Sequence, residues 1–262
     1  AKSAELYRQT KEPAMSPVLT LLHFPLSTTS QKVRLCLVHK GLAHDERIID
    51  LVRLDQLQPE YLALNPNGQV PTLLVDGVPV YESSIINELL EELVPEPALL
   101  PPLSDPVSRA RVRMWTKYVD AGPTVKIASP TYRAWVAPAL AGVPQAPLLD
   151  VVSRAPDEST RARWLRTLRN QIDDAEVAAA YDAIAGMLRR MEALLDGHDW
   201  LFADRLTLAD LETTPILVRL VHLGRAELFA GLPRVSAWFK RMQALPAFQT
   251  VYGGLRPLAA AA

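Results

Sequence analysis

The chain has 262 residues, about half of them apolar, enough to bury one large core or two ordinary ones. A formal net charge of -1 gives no global field to recruit nucleic acid or an anionic membrane, and no apolar run approaches the roughly 20 residues that span a bilayer. The lone Cys36 cannot form an intrachain disulfide, and the opening segment lacks a signal peptide's apolar region, so a cytoplasmic protein is expected.

Residues 1–15 are set aside, because Met15 is either an internal start or part of a tail; the closing alanines are equally uninformative. Residues 18–24, VLTLLHF, suit a buried parallel strand. A hydroxyl-rich loop follows, Ser27, Thr28, Thr29 and Ser30, leading into a helix with Val33, Cys36, Leu37 and Lys40 on related turns and Gly41 at its end. Ser30 is the better N-cap candidate of the four, and Cys36 is read as a buried structural thiol. A second strand is expected near Ile48 and Ile49.

Residues 65–84, NPNGQVPTLLVDGVPVYESS, carry the densest signal. Pro71 removes a ladder donor and belongs at a strand's start or at an edge. Asp76 and Gly77 mark a hairpin between a run through Val75 and a return through Val78, Val80 and Tyr81. Glu82 and Ser83 then open a helix with Ile85, Ile86, Leu89 and Leu90 as its stripe, so Ser83 or Ser84 sits where unpaired helix amides accept a carboxylate. The plain alternative is an ordinary hairpin followed by a helix cap.

The Val-Pro dipeptide, the Glu-Ser pair and the spelling SxxSQKVRLCLxxKGL resemble the glutathione transferase family, closest in spelling to its serine-type, bacterial β-etherase-like members. The resemblance implies an α/β plus all-α architecture: a thioredoxin-like domain with a mixed sheet at residues 16–95, a proline-rich linker at 96–106, and a helical domain with a hydrophobic substrate site at 107–262. It implies glutathione as cosubstrate, with a cis Val70–Pro71 bond, the Val70 backbone on the cysteinyl unit, Glu82 at the γ-glutamyl ammonium and Ser83 at its carboxylate. Thr28, Thr29 and Gln69 border the same site. The catalytic hydroxyl would stabilise the thiolate, which is the nucleophile, and alignment leaves Ser27 and Ser30 open for that role. Thr29 stands where the family's reductive dehalogenases carry a cysteine, which argues against a protein–glutathione mixed disulfide.

Five prolines in residues 94–106 make a stiff connector. Beyond it, Asp105 and Pro106 start a helix with Val107, Ala110, Met114, Tyr118 and Ala121 at helical spacing, closed by Gly122 and Pro123. Arg109, Arg113 and Lys117 form a basic stripe on another face, read as solvated, as a cleft wall or as a subunit contact. Residues 124–171 form a long insertion, expected as a lid or mobile loop. Tyr118, Tyr132, Arg133 and Trp135 are candidates for walling a pocket for the electrophile. Thr207 and Asp210 have the spacing of a capping box, which makes Asp210 a structural acid, and Pro215 should bend the helix that follows.

The five histidines show no metal spacing, so no metal is expected, and the lack of a GxGxxG or Walker-type loop argues against a nucleotide. The expected function is transfer of glutathione thiolate to a hydrophobic electrophile, in particular β-aryl ether cleavage giving a glutathione thioether and a phenol. A non-catalytic binding or partner subunit and a glutathione-dependent isomerase are the alternatives. A homodimer, or a heterodimer with a related subunit, is expected, with no nucleic acid and no membrane as partner.

Overall fold

The computed structural model describes residues 17–202 and 204–255; the opening segment, with Met15, and the closing alanines lie outside them. Strand β1 (Leu19–His23) is followed by α1 (Thr28–His39), β2 (Asp45–Ile48), a 3-10 turn (Asp55–Leu57) and α2 (Pro59–Leu62). The hairpin β3 (Thr72–Val75) and β4 (Val78–Tyr81) leads into α3 (Ser83–Leu93). The sheet order is β2-β1-β3-β4, with β1 parallel to β2 and antiparallel to β3. This is a thioredoxin-like domain with a four-stranded mixed sheet.

The local chemistry explains the turns. Asp76 and Gly77 have φ of 51° and 84°, the positive pair that a two-residue hairpin requires, and Val75 faces Val78 across it. Pro71 lies just before β3, where a missing N–H interrupts no ladder bond. Val70–Pro71 is cis, as is Glu96–Pro97 in the connector. That connector is tied down by charge: Glu91 accepts the amides of Leu99 and Leu100, and the buried Lys40 ammonium reaches Glu91 and the carbonyls of Val94 and Pro97.

The rest of the chain is helical. α4 (Pro106–Val119) is capped by the Asp105 side chain, which accepts the Ser108 amide at 3.0 Å. Two of its sequence expectations fail. The buried positions are Val112, Trp115, Thr116 and Val119, whereas Val107 and Met114 are 62% and 71% exposed. Nor do Gly122 and Pro123 stop the helix: the chain widens into a π-type turn (Asp120–Thr124), a geometry that tolerates a residue with no N–H to give.

Residues 124–171 are helical rather than an open loop. α5 (Ala128–Thr131), a second π-type turn (Tyr132–Val136) and α6 (Ala137–Ala141) run together, followed by α7 (Gln145–Ser153) and α8 (Glu158–Leu168). Leu140, Leu148, Val151, Val152, Ala155 and Trp164 bury together with Leu54 and Leu57 of the amino-terminal domain, forming a small core of their own. α9 (Asp174–Leu194) and α10 (Leu208–His222) complete the main bundle with α11 (Glu227–Ala230), α12 (Pro233–Ala244) and α13 (Pro246–Tyr252).

α10 is buried along almost its whole length. Its capping box is formed, and the fully buried Asp210 carboxylate also accepts the Leu201 amide and the Trp238 indole N–H, at 3.0 Å and 2.8 Å. Four donors replace water around one carboxylate, so its role is structural. α1 packs on both α10 and α13, and one core runs from Leu21 and Leu35 through Trp115 to Trp238. The two domains therefore share an interior, and the open space lies at its margin.

Candidate active site

That space is a cavity of about 490 Å³ where the loop after β1, the cis-proline turn, the residues 124–136 segment, α8 and α10 converge. Ser27, Thr28 and Thr29 lie on one side with Gly68, Gln69 and Val70. Phe24, Tyr132, Trp135 and Trp164 supply aromatic wall, the rings of Tyr132 and Trp164 stacking at 5.6 Å between centroids.

Ser27, not Ser30, is the N-cap of α1: its Oγ accepts the Ser30 amide at 3.3 Å. Ser30 is wholly buried, and its Oγ accepts the Phe24 amide at 3.4 Å, so it holds the loop from beneath. A hydroxyl has one hydrogen to give, and this fixes the direction of the remaining contacts. Thr29 donates its hydrogen to the Val70 carbonyl at 2.9 Å; the 2.8 Å contact between Ser27 and Thr29 must then be donated by Ser27. A hydroxyl relay thus runs from Ser27 through Thr29 to the backbone in front of the cis proline.

The cis-proline turn is held from behind. Tyr61 Oη donates to the Gln69 carbonyl at 2.6 Å, and Asn65 Nδ2 donates to the same oxygen and to Thr72 Oγ1. Burial pushes the Tyr61 hydroxyl up to about 12, so it stays protonated and keeps donating. Gly68 has φ of 59°, and a Cβ there would lie 2.8 Å from Leu57 Cδ2. With the turn fixed this way, the Val70 amide has no partner among the described residues and its carbonyl retains a second lone pair.

Glu82 sits at φ 71° and ψ 111°, outside the common regions for a residue with a Cβ, a strain often concentrated at binding sites. Its carboxylate accepts from Asn67 Nδ2 at 2.9 Å, and Ser83 is the first residue of α3, with helix amides at its end. Neither borders the cavity itself. The proposed anion-binding end and the aromatic space are thus separate parts of one surface.

The four candidates for the electrophile wall divide. Tyr132 and Trp135 line the cavity. Tyr118 does not: its ring packs on Trp115, 5.5 Å between centroids, beneath the Arg190 guanidinium. Arg133 is drawn to the surface by an ion pair with Asp174. Residues that sequence spacing did not single out are equally prominent: Phe24, Arg163, Arg166, Glu176 and Arg219. Arg219 is the furthest removed in sequence; one Nη donates to the Leu26 carbonyl beside Ser27, the other to Thr131 Oγ1 at 3.1 Å.

Comparison with known proteins places these features in a family. Residues 26–93 match the model of the glutathione S-transferase N-terminal domain, and residues 153–246 that of the glutathione S-transferase C-terminal domain. A maleylacetoacetate isomerase of Pseudomonas aeruginosa is 33% identical over 88% of this chain and 94% of its own length. Protein LigF of Sphingobium sp. strain SYK-6 is 26% identical over 89% of this chain and 93% of its own length. The crystal structure of beta-etherase LigF superimposes with a TM-score of 0.82, covering 91% of this chain and 100% of that one.

Proposed function

Because the chain belongs to the glutathione S-transferase family, we propose that it binds glutathione along Ser27, Val70 and the Glu82–Ser83 turn and directs its thiolate into the aromatic cavity. One observation carries this reading: the Ser27 hydroxyl and the Val70 amide, which has no partner among the described residues, both border a space whose wall includes Tyr132, Trp135 and Trp164. The Val70 amide and carbonyl are a ready pair for a peptide backbone, and the α3 N-terminus favours the γ-glutamyl carboxylate. Ser27, once it turns its hydrogen from Thr29 to the sulfur, stabilises the thiolate and raises the nucleophile's share at neutral pH.

The electrophile is a hydrophobic aromatic, and the likeness to LigF favours a β-aryl ether whose aryloxide is displaced by sulfur. The Tyr132 hydroxyl, which makes no hydrogen bond among the described residues, is a donor for the departing oxygen. The test is mass analysis after incubating protein, glutathione and a β-aryl ether ketone. A glutathione thioether and free phenol should appear together in equal amounts.

The identity to maleylacetoacetate isomerase supports a second reading, in which the thiolate adds and leaves again. Glutathione would then be recovered unchanged and a cis double bond converted to trans. Glutathione binding with neither outcome favours a non-catalytic subunit. The exposed apolar residues Ile85, Leu103, Val107 and Met114 support a dimer formed across α3 and α4.

A further inference from the structure

The charges around the cavity are unbalanced. Three guanidinium groups border it, Arg163, Arg166 and Arg219, against the single carboxylate of Glu176. That carboxylate is already taken by Arg166 and by the Ser129 hydroxyl. Arg163 and Arg219 have no acidic partner among the described residues, and the Nε of each lacks a hydrogen-bond acceptor.

Arg219 is the more demanding of the two. It is only 2% exposed, and a buried cation without an anion is costly. Burial pushes its guanidinium down to about 10, opposed only by Tyr252 and Tyr132, so it remains charged at neutral pH. Two neutral oxygens, of Leu26 and Thr131, take one hydrogen from each Nη, leaving three of its five N–H donors unassigned. The group also lies over the Trp135 ring at 5.4 Å, beside the aromatic wall rather than away from it.

Resting on the reading of this cavity as the electrophile's site, we propose that the preferred electrophile is an aromatic carboxylate, whose anionic group is received by Arg219 while Arg163 favours its approach. The carboxylate supplies the counter-charge and the acceptor that the protein withholds, and the ring is left against Trp135 and Tyr132. A guanidinium that merely pins the Leu26 carbonyl would show no preference between charged and neutral ligands of one shape.

The test compares biphenyl-4-carboxylate with its methyl ester, titrated calorimetrically into the glutathione-saturated protein. The acid should bind about 10-fold more tightly or better, as expected for a hydrogen-bonded charge pair. Arg219→Met should abolish that preference, Arg219→Lys should keep part of it, and Arg163→Met should reduce it without weakening the ester. Equal binding of acid and ester by the parent protein, or a preference that survives Arg219→Met, overturns the proposal. Should Arg219→Met not fold, the parent's ratio of acid to ester affinity and its reduction in Arg163→Met decide the matter. Acid preference in a protein that forms no thioether from the β-aryl ether ketone would refute the transferase reading, while the cavity's selection of an aromatic carboxylate as ligand would stand.

Discussion

Replacing Ser27 by Ala removes two things that Ser30→Ala leaves alone. The first is the donor proposed for the bound thiolate. A hydrogen bond to a charged group contributes about 1.5–3 kcal/mol, but Ser27 must surrender its bond to Thr29 to make it, which offsets about 0.5–1.5 kcal/mol. At 1.36 kcal/mol per pKa unit, the remainder corresponds to a rise of about one unit in the thiol pKa of bound glutathione. The second is the N-cap of α1, worth about 1 kcal/mol of stability. Ultraviolet titration of the thiolate in the binary complex reads the first, and urea unfolding reads the second. Turnover should fall at neutral pH and recover in alkali, where the thiolate forms unaided. Ser30→Ala should strand the Phe24 amide and cost stability, with the thiol pKa unmoved. If Ser27→Ala leaves that pKa in place, or Ser30→Ala shifts it, the hydroxyl relay has been assigned to the wrong serine.

Two further outcomes follow from buried charge and exposed apolar surface. Burial raises the Glu212 carboxyl to about 7 despite the nearby Lys32, which itself pairs with Asp120. The folded state therefore binds the extra proton between about 4.5 and about 7, and stability falls as pH rises through that window; Glu212→Gln should match the parent near pH 4.5 and exceed it by about 1–3 kcal/mol at pH 8. Parallel stability curves for the two proteins would show that the carboxyl titrates normally. On the surface, the Arg113–Glu88 ion pair ties α4 to α3, and Met114 and Ile85 are exposed on these two helices, so Met114→Glu with Ile85→Glu should convert the proposed dimer to a monomer in sedimentation without lowering the melting temperature of the subunit. A sedimentation profile unchanged by the double substitution removes this face from the interface.

Features encoded by neighbours in sequence were legible before the structure. The Asp76–Gly77 hairpin, the Thr207–Asp210 box and the Asp105 cap each depend on residues within a few positions, and each formed as read. Four consecutive hydroxyls at 27–30 concealed the cap, because any of them satisfies the same preference and only the path of the preceding loop selects Ser27. The face of α4 was misread for a different reason: Val107 and Met114 lie two turns apart like core residues, yet the core takes Trp115 and Val112. Arg219 was invisible, since its contact with Leu26 joins residues 193 positions apart and no spacing rule spans that distance.

The helices over the cavity rest on a core that shares none of its buried residues with the main one. It closes on Leu54 and Leu57, and Leu54 itself occupies the left-handed region at φ 58°. A unit held by so few side chains opens at a lower free energy than the whole molecule, so its amides should exchange with solvent ahead of those in α10. Substitutions in this outlying patch can then reshape what enters without touching the chemistry proposed at Ser27 or the integrity of the bundle. The ceiling of the cavity is in this sense a replaceable part, free to drift toward new ligands while the floor at Ser27 and Val70 stays as it is.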